Sequence, residues 1–209
     1  MSQLLYIESS PRKDRAASIE VARHFVGAYQ AQHPQDTITT LDLWATELPR
    51  FDAATIDAKY AILHGQPHTE EQRRAWAAVE SICRQFTGAD KYVFSVPMWN
   101  FSIPYILKHY IDVLVQPGQT FTFSPETGYR GLVTGKPALV VYARGGAYGA
   151  GTGAEGYDQQ SRYVQQILGF IGFTDVKSIF IEPTLGGPGP KDQAIAAALR
   201  QADELVKTF

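Results

Sequence analysis

Near the start of the chain, Ser9-Ser-Pro-Arg-Lys-Asp-Arg-Ala-Ala-Ser18 runs into a helical pattern. A helix start offers free N–H groups and a partial positive charge, which suits a phosphate. Ser10 and Ser18 add hydroxyl donors, Ala16 and Ala17 bring the chain into the turn, and Arg12, Lys13 and Arg15 add charge. The competing reading is a capping Ser18 beside a solvated basic run. A second stretch, Val96-Pro-Met-Trp-Asn-Phe-Ser-Ile-Pro104, sets aromatics around an amide. A planar heterocycle needs an apolar face and polar groups at its edge. Pro97, Met98, Trp99 and Phe101 suit the face and Asn100 the edge, unless the loop only caps the core between two prolines. The third stretch is Ala143-Arg-Gly-Gly-Ala-Tyr-Gly149. Glycine lets a backbone approach a ligand closely. The N–H groups of Gly145 and Gly146 suit a ring that gains negative charge as it accepts hydride. Arg144 either joins them or is a solvated loop charge.

These stretches must be held by regular elements, and strand and helix signals alternate along the chain. Apolar runs at Leu4–Ile7, Tyr92–Val96 and Ala138–Tyr142, weak alternation at Ile38–Leu41 and the segment Val176–Ile181 predict five strands. Ala138–Tyr142 is apolar throughout, as expected of a strand buried on both faces. Helical spacing marks Ile19–Tyr29, Glu70–Phe86, Tyr105–Val115, Tyr163–Phe170 and Gln193–Val206. Strands separated by helices imply parallel pairing through right-handed crossovers. The predicted fold is α/β, a three-layer, doubly wound parallel sheet of five strands in the order 2-1-3-4-5, forming one domain over 1–209. Ligands of such sheets sit beyond the carboxyl ends of the strands, where the winding reverses. That rule selects the loops after strands one, three and four, which are the three stretches above. Leu43–Thr69, with Pro49 and Pro67, reads as an excursion with little regular structure or one short helix. Gln116–Gly135, around Thr120-Phe-Thr-Phe123, reads as a small hairpin.

Composition bounds the function. The chain has 209 residues, 44% apolar and 19% charged, with a net charge of −2. That suits one globular domain and argues against nucleic acid as the main partner. There is no basic leader or membrane-length apolar run, so a cytoplasmic protein with no membrane partner is expected. Cys83 is the only cysteine and lies among Val79, Ile82 and Phe86, which reads as core rather than nucleophile. No metal site is expected, since Pro67 disrupts any helix that would align His64 with His68. His109 reads as packing or snorkelling on its helix. Gly151-Thr-Gly-Ala-Glu-Gly156 matches a dinucleotide fingerprint but starts well past the strand end. Gly131-Leu-Val-Thr-Gly-Lys136 resembles a phosphate loop, yet Pro137 stands where Ser or Thr is needed.

The chain resembles the FMN-dependent NADH-azoreductases, relatives of the NAD(P)H:quinone oxidoreductases, over nearly its whole length. The motifs concerned are Ser9-Ser10 with Ser18, Pro97-Met-Trp-Asn-Phe101, Leu107-Lys-His-Tyr-Ile-Asp112, Gly131–Lys136, Ala143-Arg-Gly-Gly146 and Leu168-Gly-Phe-Ile-Gly172. The resemblance implies a flavodoxin-like fold and a homodimer with non-covalent FMN at its interface. It also implies NADH or NADPH as co-substrate and small aromatic acceptors. Phosphate would bind Ser10 and Ala16–Ser18, with Arg12 nearby. The flavin ring would meet Met98–Phe101 and Ala143–Gly146, with Trp99, Phe121 and Phe123 lining the substrate space. No side chain is assigned as catalytic. Ala16 and Ala143 stand where the family often has hydroxyl residues, and Trp99 where it has tyrosine. The alternatives are a flavodoxin-like electron carrier and a regulator without cofactor.

Overall fold

The computed structural model describes residues 1–209. Five parallel strands form the main sheet: β1 (Gln3–Glu8), β2 (Thr37–Asp42), β3 (Lys91–Pro97), β6 (Pro137–Ala143) and β7 (Asp175–Ile181). Their order is β2-β1-β3-β6-β7, which is the predicted 2-1-3-4-5 once the hairpin strands β4 (Phe121–Ser124) and β5 (Gly128–Gly131) are set aside. The flavodoxin-like, three-layer α/β architecture thus stands as expected. The winding reverses between β1 and β3, which pair directly.

Helices cover both faces. α1 (Ala17–Gln32) and α6 (Pro188–Leu205) pack together on one side, where Phe25, Tyr29, Ile195 and Ala198 meet the inward residues of β1, β6 and β7. α3 (Glu70–Gly88), α4 (Tyr105–Leu114) and α5 (Gln159–Ile171) cover the other side, over Phe94, Val140 and Tyr142. The central strands β3 and β6 are buried along five consecutive residues each, the pattern of strands covered on both faces. Edge strand β2 is exposed at three of its six positions and buried at only one.

Local chemistry explains the boundaries. The excursion after β2 holds one helix, α2 (Ala53–Leu63), started by the Asp52 carboxylate accepting from the Thr55 N–H. Thr69 and Gln72 form a reciprocal capping box at α3. α6 begins five residues before the expected Gln193, because Pro188 occupies its first turn, where no N–H is needed. Gly131 and Gly172 pass so closely that a Cβ on Gly131 would lie 2.3 Å from the Gly172 nitrogen. Lys136 donates to the carbonyls of Thr87 (2.6 Å) and Ala89 (2.5 Å) at the end of α3, so the segment before it is a helix clamp rather than a phosphate loop. Cys83 is fully buried, and burial raises its thiol to about 11, a core residue as expected.

Candidate functional site

The loop after β1 is built around buried charge. The Glu8 carboxylate, 2% exposed, accepts from Arg23 at 2.9 Å, and Lys13 pairs with Asp42. Lys13 is therefore turned inward, with a left-handed φ of 48°. Ser9 is also committed, since its hydroxyl donates to the Ser95 carbonyl at 2.7 Å while its own carbonyl accepts from Trp44 Nε1 at 3.0 Å. Ser10 is buried and its hydroxyl accepts from the Arg12 N–H at 3.3 Å, Arg12 and Arg15 are exposed, and the start of α1 is left free. The α1 N-cap is Ala16, which has no side chain to cap with, and the N–H groups of Ala17, Ser18 and Ile19 have no acceptor in the chain. Ser18 is fully buried, and its hydroxyl has no partner. A buried orphan hydroxyl beside free N–H groups is costly unless something accepts from them.

The loops after β3 and β6 are tied together. The Met98 N–H donates to the Ala143 carbonyl at 2.8 Å, extending the ladder past the strand ends. Asn100 and Phe101 both have left-handed φ, 46° and 68°, between reciprocal 2.9 Å bonds joining Trp99 and Ser102. This is the turn geometry that favours Asn-Gly, so Phe101 stores strain. Its ring lies 5.0 Å from that of Tyr157. Trp99 sits against Trp44 and Tyr105, at 6.0 and 6.3 Å between ring centres.

The Arg144 side chain is not a solvated loop charge. It is 2% exposed and pairs with Asp158 at 2.7 Å and Glu182 at 3.3 Å. Its Nε donates to Gln160 at 2.9 Å, and Gln160 in turn donates to the Val96 carbonyl at 2.9 Å. The guanidinium lies 4.4 Å from the centre of the Phe180 ring. Even its backbone is used, donating to Ile181 and accepting from Thr184. The inward turn follows from a buried and a half-buried carboxylate, Asp158 and Glu182, that need a cation. By contrast, the N–H groups of Gly145 and Gly146 make no bond within the chain. Burial alone would raise the Asp158 carboxyl. The hydroxyl and N–H of Ser161, with the Arg144 guanidinium, overcome that and hold it below the usual range.

A cavity of about 230 Å³ opens at the carboxyl edge of the sheet. Around it the structure gathers Ser10, Arg12, Ala16, Ala17, Ser18, Pro97, Met98, Trp99, Ala143 and Gly145. Arg15, Thr184, Leu185 and Lys191 also line it, the last three missed in the sequence. A larger cleft of about 840 Å³ lies on the other side of Trp99, with Asn100, Phe51, Tyr105 and Tyr163 in its walls. His109 faces this cleft and binds the Pro49 carbonyl through Nε2 at 2.8 Å, tying α4 to the excursion. Phe101 and Gly146 line neither space. Phe121 and Phe123 do not reach either one within the chain; Phe121 packs on Phe170 and Phe123 on Tyr129. Gly151–Gly156 is an exposed turn closed on itself, with the Gly151 N–H bonded to Glu155 at 2.5 Å.

A family model described as flavodoxin-like fold matches residues 2–206. A protein of Desulfotalea psychrophila named FMN-dependent NADH:quinone oxidoreductase is 50% identical over 207 residues, covering 99% of this chain and 97% of that one. This chain belongs to the FMN-dependent NADH:quinone oxidoreductase family. A Nitratidesulfovibrio vulgaris protein of the same name is 50% identical over the whole of both chains. The crystal structure of azoreductase from Bacillus anthracis superposes with a TM-score of 0.92, at 34% identity over all of both chains. A second Bacillus anthracis structure, an FMN-dependent NADH-azoreductase in complex with FMN, gives 0.88 at 27% identity over 99% of this chain and 100% of that one. The family's fold is thus the one described above. No helix is long and apolar enough to cross a membrane.

Proposed function

We propose that this chain is an FMN-dependent oxidoreductase that uses NADH or NADPH to reduce quinones fastest, and some azo or nitro aromatics, by a ping-pong cycle. The observation behind it is the cavity at the reversal point, where a buried unpartnered Ser18 hydroxyl meets a free helix start and an aromatic loop. These residues fit FMN. Ser10, Ser18 and the first turn of α1 would hold the phosphate, and Met98, Trp99 and Ala143–Gly145 the ring. Bound flavin supplies hydride-accepting, two-electron chemistry. The chain's own contribution is placement and electrostatics. Gly145 would present its free N–H to negative charge from the cavity wall, with the free N–H of Gly146 next in sequence, and Trp99 walls the space in which nicotinamide and acceptor take turns. A space bounded by rings selects flat molecules by burial and discriminates weakly among them.

We read the active form as a cytoplasmic homodimer, one domain per chain, with two shared sites. Tyr105 (65% exposed), Phe123 (60%) and Tyr129 (64%) leave large apolar rings in water, and such patches mark interfaces. In that arrangement Phe121 and Phe123 line a substrate space completed by a second copy. Sedimentation should give a dimer at micromolar concentration.

Three measurements test the reading. Cofactor released by denaturation should chromatograph as FMN; FAD would overturn the single-phosphate site. Steady-state assays with benzoquinone, menadione and an azo dye should show quinones fastest and parallel double-reciprocal lines. Intersecting lines would mean both substrates bind together. Absence of NADH consumption by a flavin-loaded protein would favour an electron carrier.

A further inference from the structure

Three cations line the small cavity, Arg12, Arg15 and Lys191, and no carboxylate does. None of the three forms an ion pair, whereas Lys13, Arg23 and Arg144 in the adjoining loops all do. Arg12 and Arg15 are exposed on a loop, where water solvates an unpaired charge. Lys191 is different. It is half-buried and sits in the first turn of α6, a turn with no acidic residue and no capping side chain. A cation there opposes the positive end of the helix dipole. Partial burial of an ammonium without a counterion adds to the cost.

α1 and α6 lie side by side; α1 starts at this cavity without a capping side chain, and α6 reaches it through Lys191, just after Pro188 and Pro190, which have no N–H. α2, α3 and α5 are capped by Asp52, Thr69 and Asp158, while α4, whose N-cap is Pro104, is not. The fully buried, unpartnered Ser18 hydroxyl belongs to the same cavity. An uncapped helix start, an orphan donor and an unpaired lysine converge on one volume, and a dianion satisfies all of them. The loops supply few side-chain donors for it, because Ala16 and Ala143 offer none.

We propose that Lys191 is a binding residue for the phosphate monoester of FMN, making α6 part of the cofactor site. This rests on the FMN reading above and adds to it a residue from the last helix. The test uses apoprotein titrated with FMN and with riboflavin, which lacks the phosphate, followed by quenching of flavin fluorescence. Lys191→Met should raise the FMN Kd tenfold or more and leave the riboflavin Kd within twofold. Lys191→Arg should restore most of the FMN affinity. Inorganic phosphate should raise the melting temperature of the wild-type apoprotein more than that of Lys191→Met. Equal weakening of both flavins would overturn the proposal, since the lysine would then act through packing. An unchanged FMN Kd would also overturn it. A wild-type apoprotein that binds neither flavin would overturn the cofactor reading itself, an outcome distinct from failure of Lys191 alone.

Discussion

The loops after β1 and β6 stand at the same edge of the sheet, and each carries basic side chains. They use charge in opposite ways. After β1, Lys13 is drawn inward to Glu8 and Asp42 while Arg12 and Arg15 stay outside, leaving a donor-rich surface. After β6 the sole cation, Arg144, is wholly internal, and what faces outward is bare glycine backbone. The first loop leaves two cations unpaired beside a free helix start. The second leaves the N–H groups of Gly145 and Gly146 without acceptors above its internal ion cluster. Both keep a buried carboxylate as the anchor, so the difference lies in which cations are spared.

The largest effect should come from cutting the foundation of the second loop. Arg144→Met leaves the Asp158 and Glu182 carboxylates facing a 2% exposed site without their cation. Removing one partner of a buried pair costs roughly 3–5 kcal/mol. In a protein of this size that lowers the melting temperature by on the order of 10 °C. Arg12→Met, by contrast, should change apoprotein stability by less than about 0.5 kcal/mol, as exposed substitutions do. Equal melting temperatures for the two variants would erase the contrast between the loops.

A smaller effect should appear in acid. The Asp158 carboxyl is held below its ordinary range by Ser161 and Arg144 despite burial. Asp42 is lowered too, with Lys13 and the Trp44 N–H overcoming its burial. A carboxyl with a depressed folded-state pKa contributes stability above its unfolded value, about 3.9, and loses it as pH falls through the folded value. Both loops should therefore weaken below about pH 4. Asp158→Asn should lower stability at neutral pH and flatten its acid dependence. An acid profile identical to wild type would show that the carboxylate is not part of the foundation.

Much of this arrangement was legible in the residues, and its limits have physical causes. Continuous apolar runs at Tyr92–Val96 and Ala138–Tyr142 mark strands covered on both faces, and the reversal rule then selects the loops that line the cavity. Arg144 misled because its partners Asp158, Gln160 and Glu182 are distant in sequence, and no local pattern says which way a loop arginine turns. Thr184, Leu185 and Lys191 escaped notice for another reason. Gly187-Pro-Gly-Pro190 reads as a breaker, which hid the helix start that carries the lysine. The left-handed Asn100-Phe101 turn was also invisible, since phenylalanine seldom adopts that backbone.

The smallest expected effect separates the loops most sharply, because its sign differs between two states of one protein. Ser18 is fully buried, and its hydroxyl is unpartnered within the chain. An unsatisfied buried donor destabilises the protein that carries it. Ser18→Ala removes the donor and puts the best helix former in the first turn of α1. The apoprotein should therefore gain stability, by about 1 kcal/mol or less, read as a small rise in melting temperature. With FMN the sign should reverse. A hydrogen bond to a charged group contributes roughly 1.5–3 kcal/mol, so FMN affinity should fall at least tenfold. Ser10→Ala added to Ser18→Ala should deepen that loss. Ser9→Ala is the control, because its hydroxyl already donates to the Ser95 carbonyl at 2.7 Å. That variant should lose apoprotein stability and, once folded, bind FMN as before. If Ser18→Ala destabilised the apoprotein, the hydroxyl would have a partner inside the fold, and the outward-facing character of the first loop would have to be given up.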